Sequence, residues 1–152
     1  MAHALDETDL RILRLLFDDG RMSMRSLAET LHISRANAYA RTERLRQEGV
    51  IRAFRADIDP VAASLGTSAY VTLNLNQPDW RRVRPRLERL PGVVHVALVG
   101  GEFDAVLLVR AKDNASLSHL VLNEIQSIPG VVSTRTLLIF DELDAGGALP
   151  VE

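Results

Sequence analysis

Between Ser34 and Glu48 the chain reads SRANAYARTERLRQE, so that Arg35, Arg41, Arg44 and Arg46 fall in one helix-length run with Asn37 and Tyr39. Arginine presents a planar fork of donors that suits phosphate oxygens and guanine edges, so the chemistry on offer is recognition of nucleic acid. At helical spacing Ala38, Thr42 and Leu45 share one side. Ala36, Ala40, Glu43, Arg44 and Gln47 then face the other way, with Asn37 and Tyr39 at the edges. The outward face carries almost no apolar bulk, and Ala36 and Ala40 would let it approach a groove floor closely. Arg35 and Asn37, with Tyr39 beside them, are the candidates for base edges. Ser34, Arg41 and Arg44 are the candidates for phosphates, which position a protein without reading sequence. The same composition also fits the solvated face of an ordinary surface helix. The neighbouring sequence has to decide.

Charge is local. Ser34 to Arg55 holds six arginines, Arg52 and Arg55 included, against Glu43 and Glu48, a surplus of four, whereas the whole chain has a net charge of −2 and a pI near 6.1. A small basic footprint, with Arg52 as a further DNA contact, fits these numbers better than a surface that coats nucleic acid. No cysteine is present, which removes disulfides, thiolate zinc sites and cysteine nucleophiles together. His3, His32, His95 and His119 have no ligand-like spacing, so no metal and no cofactor is expected. No apolar run approaches the roughly 20 residues that span a bilayer, and the first ten residues lack the pattern of a signal peptide. The expectation is a cytoplasmic protein without a membrane partner.

The elements that must position the arginine-rich helix precede it. Leu5 to Phe17 reads as an amphipathic helix capped by Asp6, with acids in its first turn. Ser23 caps a second helix, Met24 to Leu31, whose Leu27, Ala28 and Leu31 face inward. Only His32 and Ile33 separate it from Ser34, and two short helices so joined make a helix-turn-helix. Val50 to Ile58 alternates loosely and predicts a strand that ends at Asp59-Pro60. The domain organisation follows: a helix-turn-helix domain over residues 1–50, a strand and linker over 51–66, an α+β domain over 67–143 and a tail over 144–152.

In the second half, Leu90-Pro91-Gly92-Val93-Val94 is echoed by Ile128-Pro129-Gly130-Val131-Val132, each after a helical run and before a strand. Strands Thr67 to Leu75, Val93 to Val99, Phe103 to Arg110 and Val131 to Phe140, with helices Asp79 to Leu90 and Asn114 to Ile128, give βαββαβ, the ferredoxin-like order. Helices cover one sheet face. Val94, Val96, Leu98, Val106, Leu108, Leu138 and Phe140 predict a second apolar face, which a homodimer would bury. Thr134 and Thr136, two apart on the last strand, point to one side and are candidate ligand hydroxyls or plain sheet-surface residues. Trp80 reads as a packing residue.

The segments LDETDLRIL and DDGRMSMRSLAETLHISRANAYARTERLRQEGVIRAF resemble the N-terminal domain of the Lrp/AsnC (feast/famine) transcription regulators. The resemblance is carried by Leu5-Asp6, Ile12-Leu13, Leu27-Ala28, Ser34, Arg41 with Leu45, and Gly49-Val50-Ile51, and continues to about Leu143. His32 stands where the family usually has glycine, and histidine tolerates a positive φ better than most residues. Thr42 stands where a larger aliphatic is usual, which predicts slightly loose packing. The resemblance implies a winged-type helix-turn-helix, a ligand-sensing domain that pairs sheet to sheet, and assembly to a dimer, tetramer or octamer on double-stranded DNA. It also implies that the strand after the third helix helps to pair subunits.

Val99-Gly100-Gly101-Glu102-Phe103-Asp104 matches the family's motif beside the effector site. Glycine backbone N–H groups suit a carboxylate, and Glu102 or Asp104 suits an ammonium group. An amino acid or related metabolite carries both. The same six residues also read as a plain hairpin turn. Three functions are therefore in view: an effector-responsive, sequence-specific regulator; an enzyme of the siroheme-decarboxylase type, which shares this architecture; and a nucleoid-associated protein without an effector.

Overall fold

The computed structural model describes residues 4–76 and 79–143, which divide between Asp57 and Ile58 into two units. The expected tail, 144–152, lies outside the described residues.

In the first unit, α1 (Glu7–Asp18), α2 (Met24–Leu31) and α3 (Arg35–Gln47) each begin at a side-chain cap. Asp6 and Asp9 form a reciprocal capping box, in which Asp9 N–H donates to Asp6 Oδ1 (2.8 Å) and Asp6 N–H donates to Asp9 Oδ2 (3.2 Å). Ser23 and Ser34 accept from Ser26 N–H and Asn37 N–H, each at 3.1 Å. The turn between α2 and α3 is closed by His32 at φ 55 and ψ 41, the left-handed conformation expected of the family's glycine. The core joins Ile12 and Leu16 of α1, Leu27, Ala28 and Leu31 of α2, Ala38 and Leu45 of α3, and Ile51. The inward positions of α3 are the three read from helical spacing. Thr42 is buried there, and its hydroxyl has no hydrogen-bond partner among the described residues.

The strand expected over Val50 to Ile58 is absent. Ile51 N–H donates to Leu45 O (3.0 Å) and the side chain closes the core, but the chain from Arg52 to Ile58 runs on exposed and outside any helix or strand, with Phe54 about half and Ile58 two-thirds open to solvent. A strand needs a neighbouring ladder, and no described strand pairs with this segment. Asp59 then gathers a hydrogen-bonded turn, accepting from Val61 and Ala62 N–H on its carboxylate, while Leu65 N–H donates to Pro60 O at 2.7 Å.

The second unit runs β1 (Thr67–Leu75), α4 (Trp80–Leu87), β2 (Val93–Leu98), β3 (Ala105–Ala111), α5 (Asn114–His119, continuing as a π-helical turn Leu120–Ile125) and β4 (Val131–Ile139). The sheet order β2-β3-β1-β4, antiparallel throughout, is the ferredoxin-like topology. Ala69, Val71, Leu73 and Leu75 of β1 and Ala105, Leu107 and Val109 of β3 bury one face against Val83, Leu87, Leu117 and Ile125 of the helices. The expected straight helix to Ile128 widens at Leu120, where Gln126 N–H reaches back to Val121 O (3.0 Å), and Leu120, Val121 and Ile125 are all buried there.

Strand register corrects the apolar set assigned to the uncovered face. Val96, Leu98 and Leu138 pair with Leu107, Ala105 and Ala69 and so lie on the helix side. Val94 falls in a register shift, and Phe140 lies beyond β4. The uncovered face instead carries Val106 and Leu108 with Tyr70, Leu137 and Ile139. Two arginines border this strip, Arg110 paired with Glu142 (3.0 Å) and Arg135 with Glu102 (3.6 Å).

The repeated Pro-Gly-Val entries have a steric cause. Gly92 sits at φ 90, where a Cβ would stand 2.6 Å from Arg110 O, and a Cβ on Gly130 would stand 2.8 Å from Asp79 Cβ. Gly92→Ala should therefore cost about 2 kcal/mol or more in urea unfolding, from left-handed strain and backbone collision together. Thr42→Val, which removes the unpartnered hydroxyl at nearly constant shape, should raise stability by about 1 kcal/mol in the same assay.

Candidate functional site

The exposed side of α3 presents Arg35, Ala36, Asn37, Tyr39 and Ala40 to solvent, with Tyr39 62% exposed. Arg35 has no ion pair or hydrogen bond among the described residues, and neither do Arg52 and Arg55. Ser34 is occupied as the cap of α3, where its hydroxyl accepts from Asn37 N–H and satisfies one of the N–H groups at that end. Arg46 forks onto Glu43 through Nε (3.1 Å) and Nη2 (2.7 Å).

Arg41 and Arg44, read from sequence as phosphate contacts, already have an intramolecular task. Arg41 Nη1 donates to Asp6 Oδ2 (2.7 Å) and Asp9 Oδ1 (2.8 Å), and Arg44 Nη2 donates to the other oxygen of Asp9. The Asp9 side chain is 1% exposed, whereas those of Arg41 and Arg44 keep 25% and 32%. Nothing in the sequence marked Asp9 beyond its place in an acidic first turn. With Asp6 and Asp9 counted, six arginines face four acids (Asp6, Asp9, Glu43, Glu48), and the local surplus falls from four to two. Of those six arginines, Arg35, Arg52 and Arg55 remain without a partner among the described residues.

The Arg41 hydrogen bond holds the Asp6 carboxyl below its ordinary value, and the backbone N–H of Asp9 adds to the effect. Arg41 is raised in turn by Asp6 and then Asp9. A carboxylate whose folded pKa is depressed contributes its stabilisation fully above the unfolded pKa, near 4, and loses it as pH falls through the folded value. The contact between α1 and α3 is therefore intact at neutral pH.

In the second unit the loop Val99–Asp104 joins β2 to β3, closed by Val99 N–H donating to Asp104 O (3.1 Å). A Cβ on Gly100 or Gly101 would meet nothing within 4 Å, so surrounding packing asks for neither glycine, although Gly101 sits at φ 132. Asp104 is built into the sheet: its N–H donates to Leu73 O (2.9 Å) and its Oδ2 accepts from Leu75 N–H (2.7 Å), which leaves Oδ1 for other partners. Glu102 faces Arg135, whose guanidinium lies 5.4 Å from the centre of the Phe103 ring. Arg135 was not singled out in the sequence, because β3 and α5 separate it from the loop along the chain.

Thr134 and Thr136 lie elsewhere. They pair with Leu73 and Val71 on the helix side, where Thr134 Oγ1 bonds Gln126 Nε2 (2.6 Å). Thr136 lines an open groove of about 430 Å³ with Leu117, Ser118, Val121, Leu122 and Leu138, to which the loop contributes no residue. Among the described residues no group of three His, Asp or Glu side chains is placed to hold a metal, and no helix is long and apolar enough to cross a membrane.

A capped polar helix in a helix-turn-helix, on a chain that also carries a ferredoxin-like βαββαβ unit, defines a two-part DNA-binding transcriptional regulator. Residues 68–149 match the Lrp/AsnC ligand binding domain, and residues 5–52 match a winged helix-turn-helix DNA-binding domain. The chain belongs to the Lrp/AsnC family. It is 37% identical to the HTH-type transcriptional regulator AldR of Mycobacterium tuberculosis, over 97% of this chain and 83% of that one. The structure of E. coli AsnC superposes with a TM-score of 0.88 over 97% of this chain and all of that one, at 24% identity, and so supports the fold. A Neisseria meningitidis transcriptional regulator crystallised in complex with L-Met gives a TM-score of 0.85 at 26% identity, covering 97% of each chain. The named relatives are transcriptional regulators, a role that is not enzymatic.

Removing the buried carboxylate leaves two part-buried guanidinium groups short of a partner and opens the capping box. Asp9→Ala should therefore lower stability by about 2–3 kcal/mol in urea unfolding, while Arg25→Ala, which breaks an exposed pair with Glu29, should change it by less than about 0.5 kcal/mol.

Proposed function

We propose that this Lrp/AsnC regulator acts in the cytoplasm as a homodimer that reads duplex DNA with two copies of α3, tuned by an amino acid or related metabolite at the Gly100–Asp104 loop. The observation that carries the DNA reading is the exposed face of α3, where Arg35, Asn37 and Tyr39 flank the small Ala36 and Ala40 in a family DNA-binding domain. Arg35 and Asn37 face base edges, with Tyr39 beside them. The N-terminal end of α3 at Ser34 and the unpaired Arg52 take phosphates. Arg41 and Arg44 hold the helix through Asp9 and offer phosphates only what that pairing leaves.

Dimerisation is supported by the uncovered strip of Tyr70, Leu108, Leu137 and Ile139, which is apolar at its centre and bordered by neutralised arginines. The unpaired backbone of Arg52 to Ile58 suits addition to a strand of a second copy. Exposed Leu122 and Val132 offer surface for a tetramer or octamer. The effector reading is supported by the ligand binding domain match and by the L-Met complex of the Neisseria relative. Glu102, Asp104 Oδ1 and Arg135 supply charges of both signs, as an α-amino acid requires. Thr134 and Thr136, on the helix side, are left out of this site.

The test is enrichment of random duplexes by the full-length protein, followed by affinity measurements across salt. Two half-sites about one helical turn apart should emerge. Arg52→Ala should weaken binding to all sequences and reduce the salt slope by about one per subunit, and an unchanged slope would count against its phosphate contact. A thermal-shift screen of amino acids should find ligands that raise Tm and lose that effect in Glu102→Ala. The absence of any responding amino acid or keto acid would leave the DNA reading intact and remove the effector site.

A further inference from the structure

The guanidinium of Arg41 is engaged on two sides. While Nη1 holds Asp6 and Asp9, Nε donates to Asn37 Oδ1 at 3.0 Å, one helical turn earlier in α3. Arginine carries donors and no acceptor, so the amide atom that faces it has to be the oxygen. Two carboxylates, from α1 and its N-cap, thus fix Arg41, and Arg41 fixes which way round the exposed Asn37 amide stands. The Asn37 Nδ2, with two protons, has no partner among the described residues.

A free asparagine recognises adenine with both amide atoms at once, the oxygen accepting from N6 and the nitrogen donating to N7. In this chain the oxygen is turned along the helix toward the next turn, so the two atoms do not enter a groove side by side. We propose that Asn37 reads DNA as a donor only, taking the paired O6 and N7 acceptors of guanine in place of adenine, and that Arg41, held by Asp6 and Asp9, is the positioning residue that imposes this choice. The proposal rests on the reading of α3 as the DNA-facing helix.

The experiment is the same duplex enrichment, run on the full-length wild type and on Asn37→Ala, Asn37→Asp and Arg41→Met. The wild type should prefer guanine over adenine by about tenfold at one position of each half-site. Asn37→Ala should erase that preference, and 7-deazaguanine at the position should weaken the wild type but not this variant. Asn37→Asp, which keeps a tie to Arg41 but has no outward donor, should also lose guanine. Arg41→Met, in which Arg44 still holds Asp9, frees the amide and should move the preference to adenine. Adenine selected by the wild type at the Asn37-dependent position overturns the proposal, as does guanine retained by a folded Arg41→Met. Should Arg41→Met fail to fold, the wild-type guanine to adenine ratio and Asn37→Asp decide alone. A motif that Asn37→Ala leaves unchanged at every position overturns the proposal and spares the DNA reading. No motif from the wild type overturns the DNA reading itself.

Discussion

The Asp9 carboxylate, buried between two guanidinium groups, is the contact on which the reading helix depends. Helix α3 has little of its own to anchor it: Ala38 and Leu45 are its only fully apolar buried residues, and Thr42 adds a hydroxyl without a partner. Burying one leucine stabilises by roughly 1.5–3 kcal/mol, which is too little to fix a thirteen-residue polar helix in one rotation. A carboxylate with both oxygens taken by different arginines fixes rotation and height together. Its net contribution to stability is modest, since desolvation offsets much of the attraction, but misplacing the helix would strand a buried charge. The interaction therefore selects an orientation more than it adds stability.

The second unit solves a different problem, that of two sheet faces with helices for only one. The helix side is a dense apolar core, whose strand entries at Gly92 and Gly130 come so close to neighbouring atoms that no side chain fits. The opposite side is a narrower strip with its flanking arginines neutralised by Glu102 and Glu142. Charge is thus removed from the rim of the surface that stays open, and the same Glu102 that neutralises Arg135 sits in the Val99–Asp104 loop. A ligand that competes for either partner would alter the charge at the border of that surface.

What could be read from the sequence was what depends on near neighbours. The caps Asp6, Ser23 and Ser34, the inward triplet Ala38, Thr42 and Leu45, and the left-handed turn at His32 are each set by residues within one helical turn. The βαββαβ order followed because the Pro-Gly-Val repeat marks both strand entries. The apolar faces were mixed because a register shift at Val94 reverses the alternation for the rest of β2, and a second, opposite Asn74 and Leu75, does the same near the start of β4. The segment after Val50 has the composition of a strand, yet composition does not supply a neighbour to pair with. The partnership of Arg41 and Arg44 with Asp9 spans 32 and 35 residues, beyond the reach of any local pattern, and the contact of Arg135 with the Val99–Asp104 loop was hidden for the same reason.

The hydrogen-bonded turn of residues 59–65 has a mechanical consequence. Because that turn takes up chain, the connection between the two units shortens to Arg52–Ile58, which spans roughly 25 Å even when fully extended. In the proposed dimer, a short leash of this kind would keep the second copy of α3 at high effective concentration once the first has found its half-site. A slacker leash would let each helix search alone, and then whatever changes the sheet-bearing unit would have no means of pulling on the DNA.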